Sequence, residues 1–125
     1  QEVISAYVDF TYADIPTTAT AYEAIDIPVN AIVVGGDLTV TTAWNTATTA
    51  TLDVGDVTDD DRYTASAIDL KTAARTALTL TGFTHTATQP VIKALTAYVG
   101  TAATAGAARL TVEYIVKGRA AFSEG

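Results

Sequence analysis

The sequence predicts an all-β chain: a single-domain antiparallel β-sandwich, jelly-roll-like, of about eight strands. Three observations carry that expectation. Apolar and polar residues alternate with a period of two in segment after segment, the pattern of half-buried strands. Short turns separate the segments at the spacing of a sandwich or barrel, with no strand–helix–strand unit between them. Thr and Ala dominate the composition, while Met and Cys are absent. Because Ala is interleaved with Thr, whose branched side chain suits a pleated surface, the balance favours strands over helices.

The elements follow in chain order. Val3 to Phe10 reads as a strand, with Val3 and Tyr7 on one face and Ile4, Ala6, Val8 and Phe10 on the other. Two roles fit it: an ordinary sheet strand, which is preferred, or a docking arm over residues 1–12 that lies on a neighbouring subunit through Val3, Ile4, Tyr7, Phe10 and Tyr12. On the arm reading, deleting residues up to Phe10 leaves the sandwich folded. Tyr12 to Thr20 has turn chemistry around Asp14, Ile15 and Pro16. Tyr22 to Ile27 alternates again until Pro28, which cannot donate to a ladder.

Ala31 to Trp44 predicts a long strand kinked at Gly35 and Gly36. Asn45 to Thr48 would then turn it into the next strand, Ala50 to Val54, as an antiparallel hairpin. Trp44, near the rim, is expected as a core plug or interface anchor rather than a ligand platform. Ala50, Leu52 and Val54 share one face, Gly55 and Asp56 break the alternation, and Asp59, Asp60 and Asp61 form an acidic tip that must face solvent. Ala65 to Ala74 is assigned as a strand followed by a loop in preference to a short helix. Leu78 to Thr81 is predicted as a strand ended by Gly82, with Phe83 packing from the following turn. Val91 to Val99 and Leu110 to Val116 are the last two strands, the latter alternating against Arg109, Thr111 and Glu113.

At 125 residues the chain is large enough for one domain whose core needs neither metal nor disulfide. Without cysteine there is no thiolate nucleophile and no cysteine zinc site. The net charge of −7 opposes binding to a phosphate backbone, so no nucleic acid is expected as a partner. No apolar run reaches the roughly 20 residues of a membrane span, and the opening residues lack the regions of a signal peptide, so a soluble, mature chain is expected.

No catalytic set is legible. His85 is the only histidine and is expected in a solvated loop; Ser5, Ser66 and Ser123 lie in no nucleophile-elbow context. No carboxylate pair stands out as a glycosidase would require. Asp56, Asp59, Asp60 and Asp61 offer oxygen ligands of the type calcium takes, but their spacing is not that of a calcium loop, and a solvated acidic turn is the preferred account. No cofactor is expected, and a non-enzymatic role follows.

Four stretches carry a family resemblance: I-P-V-N-A-I-V-V-G-G-D-L-T-V-T-T-A-W-N-T-A-T-T-A-T-L-D-V-G-D from Ile27 to Asp56, then D-R-Y at Asp61 to Tyr63, K-T-A-A-R-T-A-L-T from Lys71 to Thr79, and T-A-G-A-A-R-L-T-V-E-Y-I-V-K-G-R-A from Thr104 to Ala120. In these the chain resembles small virion structural proteins of tailed bacteriophages. The resemblance implies a capsid decoration or cement protein on the virion surface, with the phage major capsid protein as partner and a homo-oligomer, a trimer above all, as its state. It transfers no catalytic or ligand residues. A tail or fibre component contacting the host is the alternative within the virion. A carbohydrate-binding β-domain is the alternative of another class, and it would need a cleft with converging aromatic and acidic side chains.

Overall fold

The computed structural model describes residues 3–15, 21–46 and 48–116. Nine strands run through them: β1 (Ile4–Thr11), β2 (Ala21–Asp26), β3 (Ala31–Thr42), β4 (Thr49–Gly55), β5 (Ile68–Asp69), β6 (Arg75–Ala77), β7 (Thr84–His85), β8 (Val91–Val99) and β9 (Ala107–Val116). No helix occurs among the described residues. One sheet has the order β1-β9-β3-β6, with β7 also on β3; the other has the order β2-β8-β4-β5. Every pairing is antiparallel. With β6 and β7 sharing one edge of β3, the two sheets are the two four-position layers of a jelly roll. The expected fold class is therefore the observed one.

Each long strand lies where its alternation puts it. Ala50, Leu52 and Val54 are fully buried from one sheet, and Leu38, Leu110 and Val112 meet them from the other. Where the period slips, a bulge explains it. In β3 the buried positions pass from Ala31 and Val33 to Leu38 and Val40, and the register shifts between Val33 and Gly35. In β2 a shift between Glu23 and Ile25 lets Tyr22 and Ala24 pack inward before it and Ile25 and Ile27 after it.

Three expectations are corrected. The Asn45 to Thr48 link is not a hairpin: β3 pairs with β9, β6 and β7, whereas β4 pairs with β8 and β5. Both strands have a buried face, and facing each other across the core covers both at once. Trp44 fills the crossing at 1% exposure, in contact with Phe10 at 6.1 Å between rings. Gly106 is required beneath it, because a Cβ there would lie 2.5 Å from the indole. Second, Leu78 to Thr81 is not a strand. The paired residues are Arg75 to Ala77, after which Leu78 turns into the core and donates its N–H to Gly36. Third, His85 is not solvated: it lies in β7 at 3% exposure.

Residues 4–11 are a sheet strand, in unbroken register with β9 from the Ile4–Tyr114 pair to the Thr11–Ala107 pair, and not a detached arm. Phe10, expected among the docking residues, is instead in the core at 1% exposure and packs on Tyr22. Its place is set by the same alternation that leaves Tyr7 exposed.

Candidate functional site

The acidic turn divides into one buried carboxylate and three outer ones. Gly55 allows this: a Cβ there would lie 2.1 Å from the Asp59 carbonyl, so only glycine lets the tip fold back on β4. The Asp56 N–H donates to Asp59 O at 2.9 Å. Asp56 Oδ1 accepts from the N–H of Thr58 (3.1 Å), the hydroxyl of Thr58 (2.9 Å) and the N–H of Asp59 (2.9 Å). Asp56 Oδ2 accepts from Arg62 Nε at 2.6 Å. Burial pushes the Asp56 proton affinity up, but the bonds from Arg62, Thr58 and Asp59 outweigh it and hold the carboxyl below its ordinary value.

Arg62 and His85 continue the cluster. The Arg62 guanidinium lies 3.5 Å over the Phe83 ring, and Phe83 meets His85 edge-on at 5.0 Å. His85 Nε2 is 2.6 Å from the Tyr63 hydroxyl, and its Nδ1 is 3.7 Å from Asp56 Oδ2. Burial lowers the His85 pKa, so the ring is neutral at pH 7; burial pushes the Tyr63 phenol up to about 12, so it keeps its proton. With both groups neutral, the Asp56 carboxylate decides the tautomer: 3.7 Å from Nδ1, it favours the proton on that nitrogen, which leaves Nε2 to accept from the Tyr63 O–H.

The arrangement of Tyr63, His85, Asp56 and Arg62 has the outline of a relay but not its chemistry. Its terminal hydroxyl belongs to a residue 1% exposed, and the pKa of that hydroxyl is raised rather than lowered. Both nitrogens of His85 are turned to side chains of the fold. Ser66 is exposed and Ser5 lies on β1, so neither described serine completes a triad with it. What the cluster does is tie the tip after β4 to the loop around β7, residues 21 to 29 apart in sequence. Beside it lies a depression of about 380 Å³, lined by Val57, Thr58, Phe83, His85, Pro90 and Lys93 among others.

The outer carboxylates of Asp59, Asp60 and Asp61 stand within 4.8 Å of one another. Asp61 is pushed up by its hydrogen bond with Asp59 and by the neighbouring charges. The fourth residue expected with them, Asp56, does not join them: its oxygens are already used by Arg62 and Thr58. Sequence patterning grouped the four because they are adjacent, whereas burial separates them.

Of the remaining interface candidates, Val3 and Tyr7 are exposed at 54% and 61%, while Ile4 and Tyr12 are half-buried against the core. Arg109 braces this face of β1. Its guanidinium lies 4.1 Å over the Tyr7 ring and donates to both Asp9 oxygens at 2.7 and 3.0 Å.

No model of a known protein family matches the chain, and no curated protein does. Solved structures with the same fold do. The chain is similar to one in the capsid asymmetric unit of cyanophage Pam1, at 26% identity and a TM-score of 0.72, over 91% of this chain and 84% of that one. It is also similar to a chain in the acid-stable capsid structure of Helicobacter pylori bacteriophage KHP30, at 16% identity and a TM-score of 0.66, over 91% of this chain and 87% of that one. That second likeness is one of fold alone. The fold is thus one that structural chains of phage particles carry, the class to which the sequence resemblance pointed.

Proposed function

We propose that the chain is a non-enzymatic structural protein of a bacteriophage virion that binds the capsid surface and stabilises it as a decoration or cement protein, with the major capsid protein as its partner. The observation that carries this reading is the shared fold with a Pam1 capsid chain, at 26% identity over nine-tenths of the chain. The chemistry agrees. The cluster of buried polar side chains around Asp56 ties loops together, and its geometry serves rigidity. A protein that bridges capsid joints needs a stiff body and an ordered rim, which a jelly roll fastened at its loops supplies. The trimeric state implied by the sequence resemblance belongs to the same reading.

The test is cryo-electron microscopy of capsids mixed with the recombinant protein. Density on the outer capsid surface, over the joints between subunits, is expected. Density confined to the tail, or capsids that stay bare, would overturn the decoration role.

A further inference from the structure

The hydrogen-bond phase of β1 can be read from its last residues. The Tyr12 N–H donates to Gly106 O at 3.1 Å, continuing the ladder in which Phe10 faces Ala108 and Val8 faces Leu110. Even-numbered residues of β1 therefore turn their N–H and C=O toward β9, and odd-numbered residues turn theirs away. Thr11 obeys this rule. Its N–H donates to Asp14 Oδ2 at 2.8 Å and its C=O accepts from the Asp14 N–H at 3.0 Å, both outside the ladder. The main-chain groups of Ser5, Tyr7 and Asp9 consequently point along the outer edge, where no described strand pairs with them.

The other sheet edges are blunted and this one is not. β2 carries a bulge and is followed by Pro28, β5 and β7 have two residues each, and β6 has three. Short strands, bulges and prolines are the usual protection against edge pairing. β1 runs for eight residues in unbroken register, without proline or lysine. Its side chains suit an added strand. On the core side, Ile4, Ala6 and Val8 are only half-buried at the rim, so apolar residues from a further strand would complete their cover. On the outer side, Arg109 cancels the charge of Asp9 and holds Tyr7 flat.

We propose that the outer edge of β1, which no described strand pairs, is the docking rail of the protein: an extended segment of the capsid chain it covers, apolar at alternate positions and carrying Lys or Arg, adds to the sheet beside Ser5, Tyr7 and Asp9. This rests on the decoration reading and specifies its contact. Main-chain bonds supply the attachment, and the alternate side chains supply the fit. Symmetry and charge choose the occupant: antiparallel pairing of β1 with the β1 of a second copy is a two-fold contact, which does not close the trimer of the decoration reading, and a net charge of −7 favours a basic segment.

The test is co-sedimentation with purified capsids, using the wild type and Ser5→Pro. Proline at position 5 removes an outward N–H and no bond to β9, so the free variant is expected to melt as the wild type does. Its capsid affinity is expected to fall about tenfold, the effect of losing one or two main-chain bonds. Deuterium exchange of the wild type provides a second readout that needs no variant: the amides of Ser5, Tyr7 and Asp9 are expected to gain protection on capsids. Equal binding by Ser5→Pro, or exchange unchanged on bound capsids, overturns the rail while leaving the decoration role intact. A wild type that fails to bind capsids overturns the decoration role and the rail with it. Protection already present in the free protein, together with self-association, overturns the choice of occupant in favour of a second copy.

Discussion

The strands from Ala31 to Gly55 and from Val91 to Val116 and the connection between them, residues 56–90, are ordered by different forces. The first set is built from alternation. Leu38, Leu52, Ile92, Leu110 and Val112 sit at 0% exposure, on strands whose pattern alone specifies the buried face. The connection has only three short strands, of two, three and two residues. Besides its apolar anchors Ile68, Leu70 and Leu78, it is fastened by side chains reaching across it: Arg62 and Thr58 on Asp56, and Tyr63 on His85. Removing apolar area from the first region weakens it by degrees, whereas removing one partner of a buried polar cluster strands the others. A region poor in regular structure is therefore expected to be as sensitive to a single substitution as the core.

The strongest test of that contrast is Asp56→Asn. Asn keeps the size but leaves the Arg62 guanidinium, 15% exposed, without its counter-charge. Breaking a buried pair on one side costs about 3–5 kcal/mol. Because Arg62 retains some solvent, the lower end is expected, on the order of 3 kcal/mol, measured by urea denaturation. Leu110→Ala, a core truncation in β9, is expected to cost a similar amount, about 3 kcal/mol. Hydrogen exchange would separate the two. Asp56→Asn should expose amides of residues 56–90 first, and Leu110→Ala should lower protection across the sheets. Matching exchange patterns would erase the distinction between the regions.

Tyr63→Phe follows, at about 1–3 kcal/mol, the cost of leaving the buried His85 Nε2 without its donor. If Tyr63→Phe is neutral, the 2.6 Å contact does not stabilise the fold and the clamp reduces to Asp56 and Arg62.

How much of this was legible follows from the range of each force. Alternation is local, so Ala50, Leu52 and Val54 could be placed on one buried face from three residues, and so could Leu110, Val112 and Tyr114. The sheet crossing after β3 was not legible, because a polar four-residue link serves a hairpin or a crossing equally well. Only the partners of β4 on β8 distinguish them, and they lie 38 to 50 residues on. Leu78 was misplaced by its neighbour Leu80: the two alternate with Thr in sequence, yet Leu78 is buried and Leu80 is 48% exposed. His85 reads as solvated because its partners Tyr63 and Asp56 are distant in sequence, and Asp56 does so because its nearby partners Thr58, Asp59 and Arg62 lie in one polar run that looks solvated throughout. The one local signal was Gly55, directly before Asp56, where a tight return of the chain needs a missing Cβ. The exposed Val3 and Tyr7 of β1 were visible in its alternation, but the phase of its main-chain groups was not.

A smaller effect is expected from pH. The cluster packed on His85 comprises Asp56, Arg62, Tyr63 and Phe83. Burial lowers the affinity of His85 for a proton below its ordinary 6.5, so the unfolded chain takes up that proton first as pH falls. Stability is therefore unaffected by His85 above about pH 6.5 and declines as pH drops below it. Asp56, held below 3.8, adds a second loss only at lower pH, as it becomes protonated in the folded chain. Thermal melting between about pH 7.5 and about pH 5, a range that brackets an ordinary histidine, should show the first decline in the wild type and not in His85→Gln. A decline that persists in His85→Gln would place the titrating group elsewhere.

The smallest effect is predicted only four positions beyond Asp56. Asp60 is exposed, and its neighbours Asp59 and Asp61 are of the same sign, with carboxylates gathered within 4.8 Å. Asp60→Asn removes a charge that no described cation balances and relieves part of the crowding that raises Asp61. Its effect on stability should stay within about 0.5 kcal/mol, in the stabilising direction, as for other exposed substitutions. Adding calcium should leave the melting temperature of wild type and variant alike. A cost near that of Asp56→Asn, or a calcium-dependent rise in the wild type that Asp60→Asn abolishes, would show that the outer carboxylates are held in a structure of their own. The division of the turn into a buried anchor and a solvated tip would then fail, since burial, the property that separates Asp56 from its neighbours, would no longer predict which carboxylate the fold depends on.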